Sequence, residues 1–139
     1  ADNVVTNDFD TDANWSRSSD RRLKTNIQTI DYNALDFINE LRPVTFNWKD
    51  SRDTPKTFVS YNADKNEMDT DITMHGMLAQ DVKAALDKAG VDTFGGWAEE
   101  KDGSQSISQE MFVHPLIKAI QELSAKNDAL LARIETLEG

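Results

Sequence analysis

In the C-terminal part of the chain, key residues recur at alternating steps of four and three: Leu116, Ile120, Leu123, Asn127, Leu130, Ile134 and Leu137. This is the a/d register of a coiled coil. The leucines take d, Ile120, Asn127 and Ile134 take a, and Val113 extends the register backwards at a further a position. The run predicts a helical rod of roughly 33 Å. Its opposite face is polar, with Lys118, Gln121, Glu122, Asp128 and Glu135. The alternative is a single amphipathic helix lying on its own domain, although such a helix usually shows a wider apolar face. An Asn at one a position fixes register and parallel alignment at some cost in stability. Ile at a with Leu at d leans towards two strands, whereas Leu131 at e and Ala119 at g widen the seam towards three. Arg133 at g and Glu138 at e can pair between parallel neighbours. The heptad therefore predicts a parallel oligomer and leaves the number of strands open.

Upstream, the periodicity is mixed. Tyr32 to Leu41 places Leu35, Ile38 and Leu41 at helical spacing, and Pro43 ends that helix. Val44 to Trp48 alternates and is rich in β-branched and aromatic residues, which predicts a strand. A polar turn region follows from Lys49 to Lys56, and Thr57 to Tyr61 is the expected hairpin partner. Residues 62–71 read as an acidic loop and Ile72 to Met77 as a further strand. A helix is expected from about Leu78 to Ala89, with Leu78, Val82, Ala85 and Leu86 on one face and Gly90 closing it. Gly95-Gly96 marks a turn. Trp97 to Glu100 and Gln105 to Ser108 flank Asp102-Gly103 as a hairpin. From Gln109 the chain turns helical. The expected fold class is α+β, with small β-hairpins and short helices followed by one long helix.

Composition narrows the options. Hydrophobic residues make up 38% of 139, which is thin for a chain of this length and favours oligomerisation. Fifteen basic residues face 25 acidic ones, a net charge of −10. That balance argues against a nucleic-acid or anionic-membrane partner, since phosphate surfaces are bound by excess Lys and Arg. There is no cysteine, hence no disulfide and no thiolate chemistry. No apolar run is long enough to span a bilayer. Asp64, Glu67, Asp69 and Asp71 lack the spacing of a calcium loop, and no P-loop, dinucleotide or zinc pattern is present. No metal and no cofactor is expected.

One segment carries candidate chemistry. Asp2, Asp8, Asp10 and Asp12 precede it without a basic residue, and then Arg17, Arg21, Arg22 and Lys24 crowd together around Asp20. A serine hydroxyl is a weak nucleophile until a neighbouring base takes its proton. A lysine serves as that base only if desolvation or nearby positive charge lowers its pKa. Ser19 and Lys24 are such a pair, and Arg21 and Arg22 are the candidate supporting charges. A capped, solvated basic segment, or an anion-binding surface, would present the same residues.

Four blocks of the chain resemble a known family. They are Ser19-Asp20-Arg21-Arg22-Leu23-Lys24-Thr25-Asn26-Ile27; Leu41-Arg42-Pro43-Val44-Thr45-Phe46-Asn47-Trp48-Lys49; His75-Gly76-Met77-Leu78-Ala79-Gln80-Asp81-Val82; and Pro115-Leu116-Ile117-Lys118-Ala119-Ile120-Gln121-Glu122-Leu123. In this order they resemble the intramolecular chaperone auto-processing domain of bacteriophage tail fibres, tail spikes and endosialidases. The resemblance implies a parallel homotrimer that helps the upstream fibre of the same chain to fold and is then released by self-cleavage. It implies Ser19 as nucleophile, Lys24 as base and a cut at Ser19–Asp20. It further implies assembly in the host cytoplasm, on a precursor of a virion tail fibre. The organisation expected on this basis is residues 1–18 as an upstream segment or linker, 19–110 as an α+β chaperone body and 111–139 as the trimerisation helix. Attack by a serine on its own carbonyl would close a four-membered lactone. Either Ser19 attacks the preceding carbonyl, or a neighbouring subunit's Ser19 acts in trans.

Of the two histidines, His75 falls within a matching block and is the candidate to assist the dyad; a packed, non-catalytic role is the other reading. Trp48 and Trp97 read as core or interface residues, and Gln80 and Asp81 as the opening of a helix. Two further functional readings stand beside the self-cleaving chaperone: a trimerisation module that does not cleave, and a receptor-binding fibre tip retained in the particle.

Overall fold

The computed structural model describes residues 18–139, so all but the last residue of the expected upstream segment lies outside the described residues. In chain order the elements are α1 (Ala34–Glu40), β1 (Val44–Phe46), β2 (Met74–Gly76), α2 (Ala79–Lys88), β3 (Trp97–Glu99), β4 (Gln105–Ile107) and α3 (Val113–Glu138). Three short 3₁₀ turns lie between them, at Arg21–Leu23, Ser51–Asp53 and Gln109–Phe112.

α1 has only seven residues, too few to persist alone in water. Tertiary packing holds it. Phe37 is 1% exposed and Ala34 fully buried, so the helix presents an Ala34–Phe37 face to the core. Leu35, expected there, is only half-buried, and Ile38 and Leu41 pack at the edge. Phe37 stacks on Phe112 with ring centroids 6.4 Å apart, and Phe94 meets both rings edge-on. Val82, Ala85 and Leu86 of α2 complete the core as the sequence predicts, while Leu78 lies outside at the helix start. α2 ends in a Schellman turn: Val91 N–H donates to Leu86 and Gly90 N–H to Asp87. Gly90 supplies the positive φ of 70° that this turn needs.

β1 pairs with β2, Val44 opposite Gly76 and Phe46 opposite Met74, not with Thr57 to Tyr61. The pairing matches inward faces: Val44, Phe46, Met74 and Gly76 are half-buried, while Thr45 and His75 point outward. Gly76 lies beside the Phe46 ring, where an added Cβ would make an ordinary van der Waals contact at 3.4 Å. Thr57 to Tyr61 instead closes on itself in turns. Phe58 N–H donates to Pro55, and Tyr61 N–H to Phe58. The whole connection is organised around Ser51, a fully buried polar residue. Its N–H donates to Asn66, its hydroxyl accepts from Glu67 N–H, and its carbonyl accepts from Thr54 and Asn62. β3 and β4 form the expected hairpin, turning through Asp102 and Gly103.

The final helix begins later than Gln109, because residues 109–112 wind as 3₁₀. α3 then runs 26 residues, about 39 Å. Its first half is shared with the body. Pro115 and Ala119 are buried, and the Glu122 carboxylate accepts from the N–H groups of Ala34 and Leu35 at 3.3 and 2.8 Å. Ala119 is thus used within the single chain rather than at an intermolecular seam, while Ile117 and Leu131 at e stay exposed. Replacing Phe37 by Ala should cost about 3–5 kcal/mol, read as a lower urea midpoint. Glu122→Ala, which leaves two helix-end amides without their acceptor, should cost about 1 kcal/mol in the same assay.

Candidate functional site

The segment Asp20 to Lys24 makes a single capped turn. Asp20 precedes the 3₁₀ turn, and its carboxylate accepts from the Arg22 N–H at 2.8 Å. The same carboxylate grips the Arg22 guanidinium in a fork, with Nε to Oδ1 at 3.0 Å and Nη2 to Oδ2 at 2.7 Å. Leu23 N–H returns to Asp20 and Lys24 N–H to Arg21, closing the turn. These bonds set the span between the residues flanking the turn. The outcome is a hydrogen bond from Lys24 Nζ to Ser19 Oγ at 2.6 Å.

The electrostatics follow from the same contacts. Arg22, bonded to Asp20, holds that carboxyl below its usual value of 3.8. Arg22's charge is therefore committed to Asp20, and Arg21 on the same turn is exposed. Asp50 and Arg52 repeat the device at the second 3₁₀ turn, where the guanidinium pulls the Asp50 carboxyl down to about 2. Ser19 and Lys24 are both exposed in the single chain. Just beyond it, Asn26 adopts a left-handed φ of 51°, a conformation Asn tolerates better than most residues, and redirects the chain.

A cleft of about 560 Å³ opens beside the pair. Ser18, Ser19, Leu23 and Lys24 form one side, and Glu110, Met111 and His114 form the other. His75 lines a different cleft, with Phe46, Trp48, Leu78 and Gln109 among its neighbours. The histidine beside Ser19 and Lys24 is thus His114, which belongs to none of the blocks that drew attention in the sequence. Trp97 is half-buried and its indole donates to Gln105, whereas Trp48 is exposed and meets Phe46 edge-on. Asp81, in the first turn of α2, accepts from Arg42 across the surface. Among the described residues no cluster of three His, Asp or Glu side chains could hold a metal, and no helix is long and apolar enough to cross a membrane.

The heptad residues share one property. Leu116, Ile120, Leu123, Asn127, Leu130, Ile134 and Leu137 are all exposed, Ile120 to 65% and Leu137 to 79%. The body occupies the face carrying Pro115, Ala119 and Glu122 and leaves the a/d stripe uncovered. Glu122 was not singled out by the sequence as a structural residue, yet it tethers the long helix to α1. Its signal was a second stripe, Phe112, Pro115, Ala119 and Glu122, at helical spacing beside the heptad.

A family model named for a peptidase and described as a chaperone of endosialidase matches residues 19–91, just over half of the chain. The chain belongs to the chaperone-of-endosialidase family. The match starts at Ser19 and takes in Lys24, the 3₁₀ turn, α1, both strands of the first sheet and α2. The family name carries both a chaperone theme and a peptidase theme. No curated protein matches the chain.

The clamp has a testable signature. Its carboxylate form is the bonded one, so its contribution is present above the ordinary value of 3.8 and is lost as pH falls through the lower folded value. In an NMR titration the Asp20 carboxyl should show its midpoint below 3.8, and Arg22→Ala should return it towards that value. An unchanged midpoint in the variant would assign the shift to another cause.

Proposed function

We propose that this domain is a C-terminal intramolecular chaperone which assembles as a parallel homotrimer through α3, assists the folding of an upstream fibre segment of the same chain, and is released by autoproteolysis at Ser19–Asp20. The observation that carries the release step is the 2.6 Å contact between Lys24 Nζ and Ser19 Oγ within a chain of this family. The uncovered a/d stripe supports the assembly step, because exposed Leu and Ile at heptad spacing recover their burial by packing on copies of the same helix. Tail fibres and spikes of bacteriophages are the class of client, the host cytoplasm is the place of assembly, and neither nucleic acid nor membrane is a partner.

The two activities depend on one another physically. Intertwined β-fibres need long-range, inter-chain pairing and fold slowly. A coiled coil puts the chains in register first and raises their effective concentration. A neutral lysine is needed to take the serine proton, and desolvation is one way to obtain it. Both residues are exposed in one chain, so a neighbouring subunit is the source of that burial. Removal of the chaperone then leaves the fibre unable to refold along the same route, which makes it kinetically stable.

Expressed with upstream fibre sequence, the protein should yield a fragment beginning at Asp20. Ser19→Ala and Lys24→Ala should each abolish it on a denaturing gel. Mass spectrometry of both products locates the cut, since attack on the preceding carbonyl would leave Ser19 on the released piece. Ile120→Asp with Leu123→Asp should give monomers by ultracentrifugation and slow cleavage at least tenfold. A double variant that is monomeric but cleaves at the parent rate sinks the dependence of cleavage on assembly.

A further inference from the structure

A serine and a lysine supply a nucleophile and a base, but acyl transfer also needs a donor to hold the negative charge that develops on the carbonyl oxygen. Backbone N–H groups often serve, and three of those in the turn between Ser19 and Lys24 are already engaged. Arg22 N–H is bonded to the Asp20 carboxylate, Leu23 N–H to the Asp20 carbonyl and Lys24 N–H to the Arg21 carbonyl. The side chains across the cleft are a second source of donors. On the facing wall, Glu110 is an anion that would repel an oxyanion, and the Met111 thioether has no N–H or O–H. The Ser18 hydroxyl belongs to the segment being cut. His114 remains, and an imidazole carries an N–H in either protonation state. It stands in the first turn of α3 between two buried residues, Phe112 and Pro115, so its backbone is anchored by the core.

We propose that His114 is the oxyanion donor for autoproteolysis at the Ser19–Lys24 cleft. The inference rests on the self-cleaving reading above. In the attack, Ser19 Oγ bonds to the carbonyl carbon and its proton passes to Lys24 Nζ. The carbonyl π pair moves onto oxygen, which takes a hydrogen bond from the His114 N–H. Collapse restores the carbonyl, breaks the C–N bond and returns the proton from Lys24 to the departing amine. Water then attacks the ester carbonyl, giving its proton to Lys24, and the same His114 N–H holds the second oxyanion. Ser19 Oγ leaves and takes that proton, so one peptide bond and one water become a carboxylic acid and an amine. The role is the same for attack on the preceding carbonyl and for attack in trans. It also ties the chemistry to the assembly helix, because the donor is part of α3 itself.

The test uses the chain with its upstream fibre sequence and follows cleavage by time-course gel, with the trimer fraction by ultracentrifugation and the melting temperature as controls. H114L should slow cleavage about 100-fold or more while leaving trimer and melting unchanged. H114A, which reduces rather than fills the volume, should give the same loss. H114Q retains an N–H donor and should recover most of the rate, a rescue that a packing role would not produce. H114L cleaving at the parent rate overturns the assignment, as does a folded, trimeric H114Q that is as slow as H114L. Ser19→Ala is run alongside: cleavage that survives it removes the self-cleaving reading itself, whereas cleavage lost in Ser19→Ala but untouched in H114L removes only the role of His114.

Discussion

The structure depends on how one short helix is seated against one long one. α1 cannot hold itself, and its polar N-terminal end would be costly to bury unbonded. α3 solves both problems from one face. Phe112, just ahead of α3, stacks on Phe37 in the core, and Glu122, almost three turns further on, accepts from the amides of Ala34 and Leu35. Asn33 caps the same end from the sequence side, accepting from Asp36 N–H. The Tyr32 phenol lies beside this junction, where burial and the Glu122 charge raise its pKa above the ordinary value. A carboxylate placed at a helix N-terminus also meets the favourable end of the helix dipole.

This seating decides what the rest of α3 can do. A helix has a limited circumference, and the body takes the part carrying Pro115 and Ala119. The a/d stripe lies beside it and stays open along the full length of the helix. One helix therefore serves as core element on one side and leaves an apolar heptad stripe exposed on the other. The turn between Ser19 and Lys24 sits near the root of this helix, with Glu110, Met111 and His114 lining the same cleft. Candidate site, core and exposed heptad stripe all meet at the start of α3.

Much of this was legible in the sequence, because strong local rules were at work. The heptad, the α2 apolar face, the Gly90 stop and the Asp102-Gly103 turn are all written in short-range periodicity or turn chemistry. So was the Ser19–Lys24 pair, once the resemblance set it apart. The partner of β1 was not legible. Thr57 to Tyr61 has strand-like composition, but its polar backbone is satisfied by turns around the buried Ser51, and a distant segment supplies the matching inward face. The core face of α1 was misplaced by one position, since Leu35 looks more apolar than Ala34 although close approach to Glu122's helix favours the small residue. His114 was passed over because its relation to Ser19 is purely tertiary. Gly96 shows the same limit: only the packed structure reveals that a Cβ there would lie 2.4 Å from the Phe94 ring and 2.9 Å from Met111 Cβ.

The capped turn between Ser19 and Lys24 has one more consequence under the proposed cut. The scissile bond lies inside the loop of chain that joins nucleophile to base. Asp20, Arg22 and Lys24 stay with the released domain, whereas Ser19 departs with the upstream piece. Each such cut, made in trans by a neighbouring subunit's Ser19, thus separates the pair carried by the chain that is cut. No separate inhibitor is needed to protect the finished assembly from its own protease, and the ends cannot be rejoined by running the same machinery backwards. Single use is written into the connectivity of the chain.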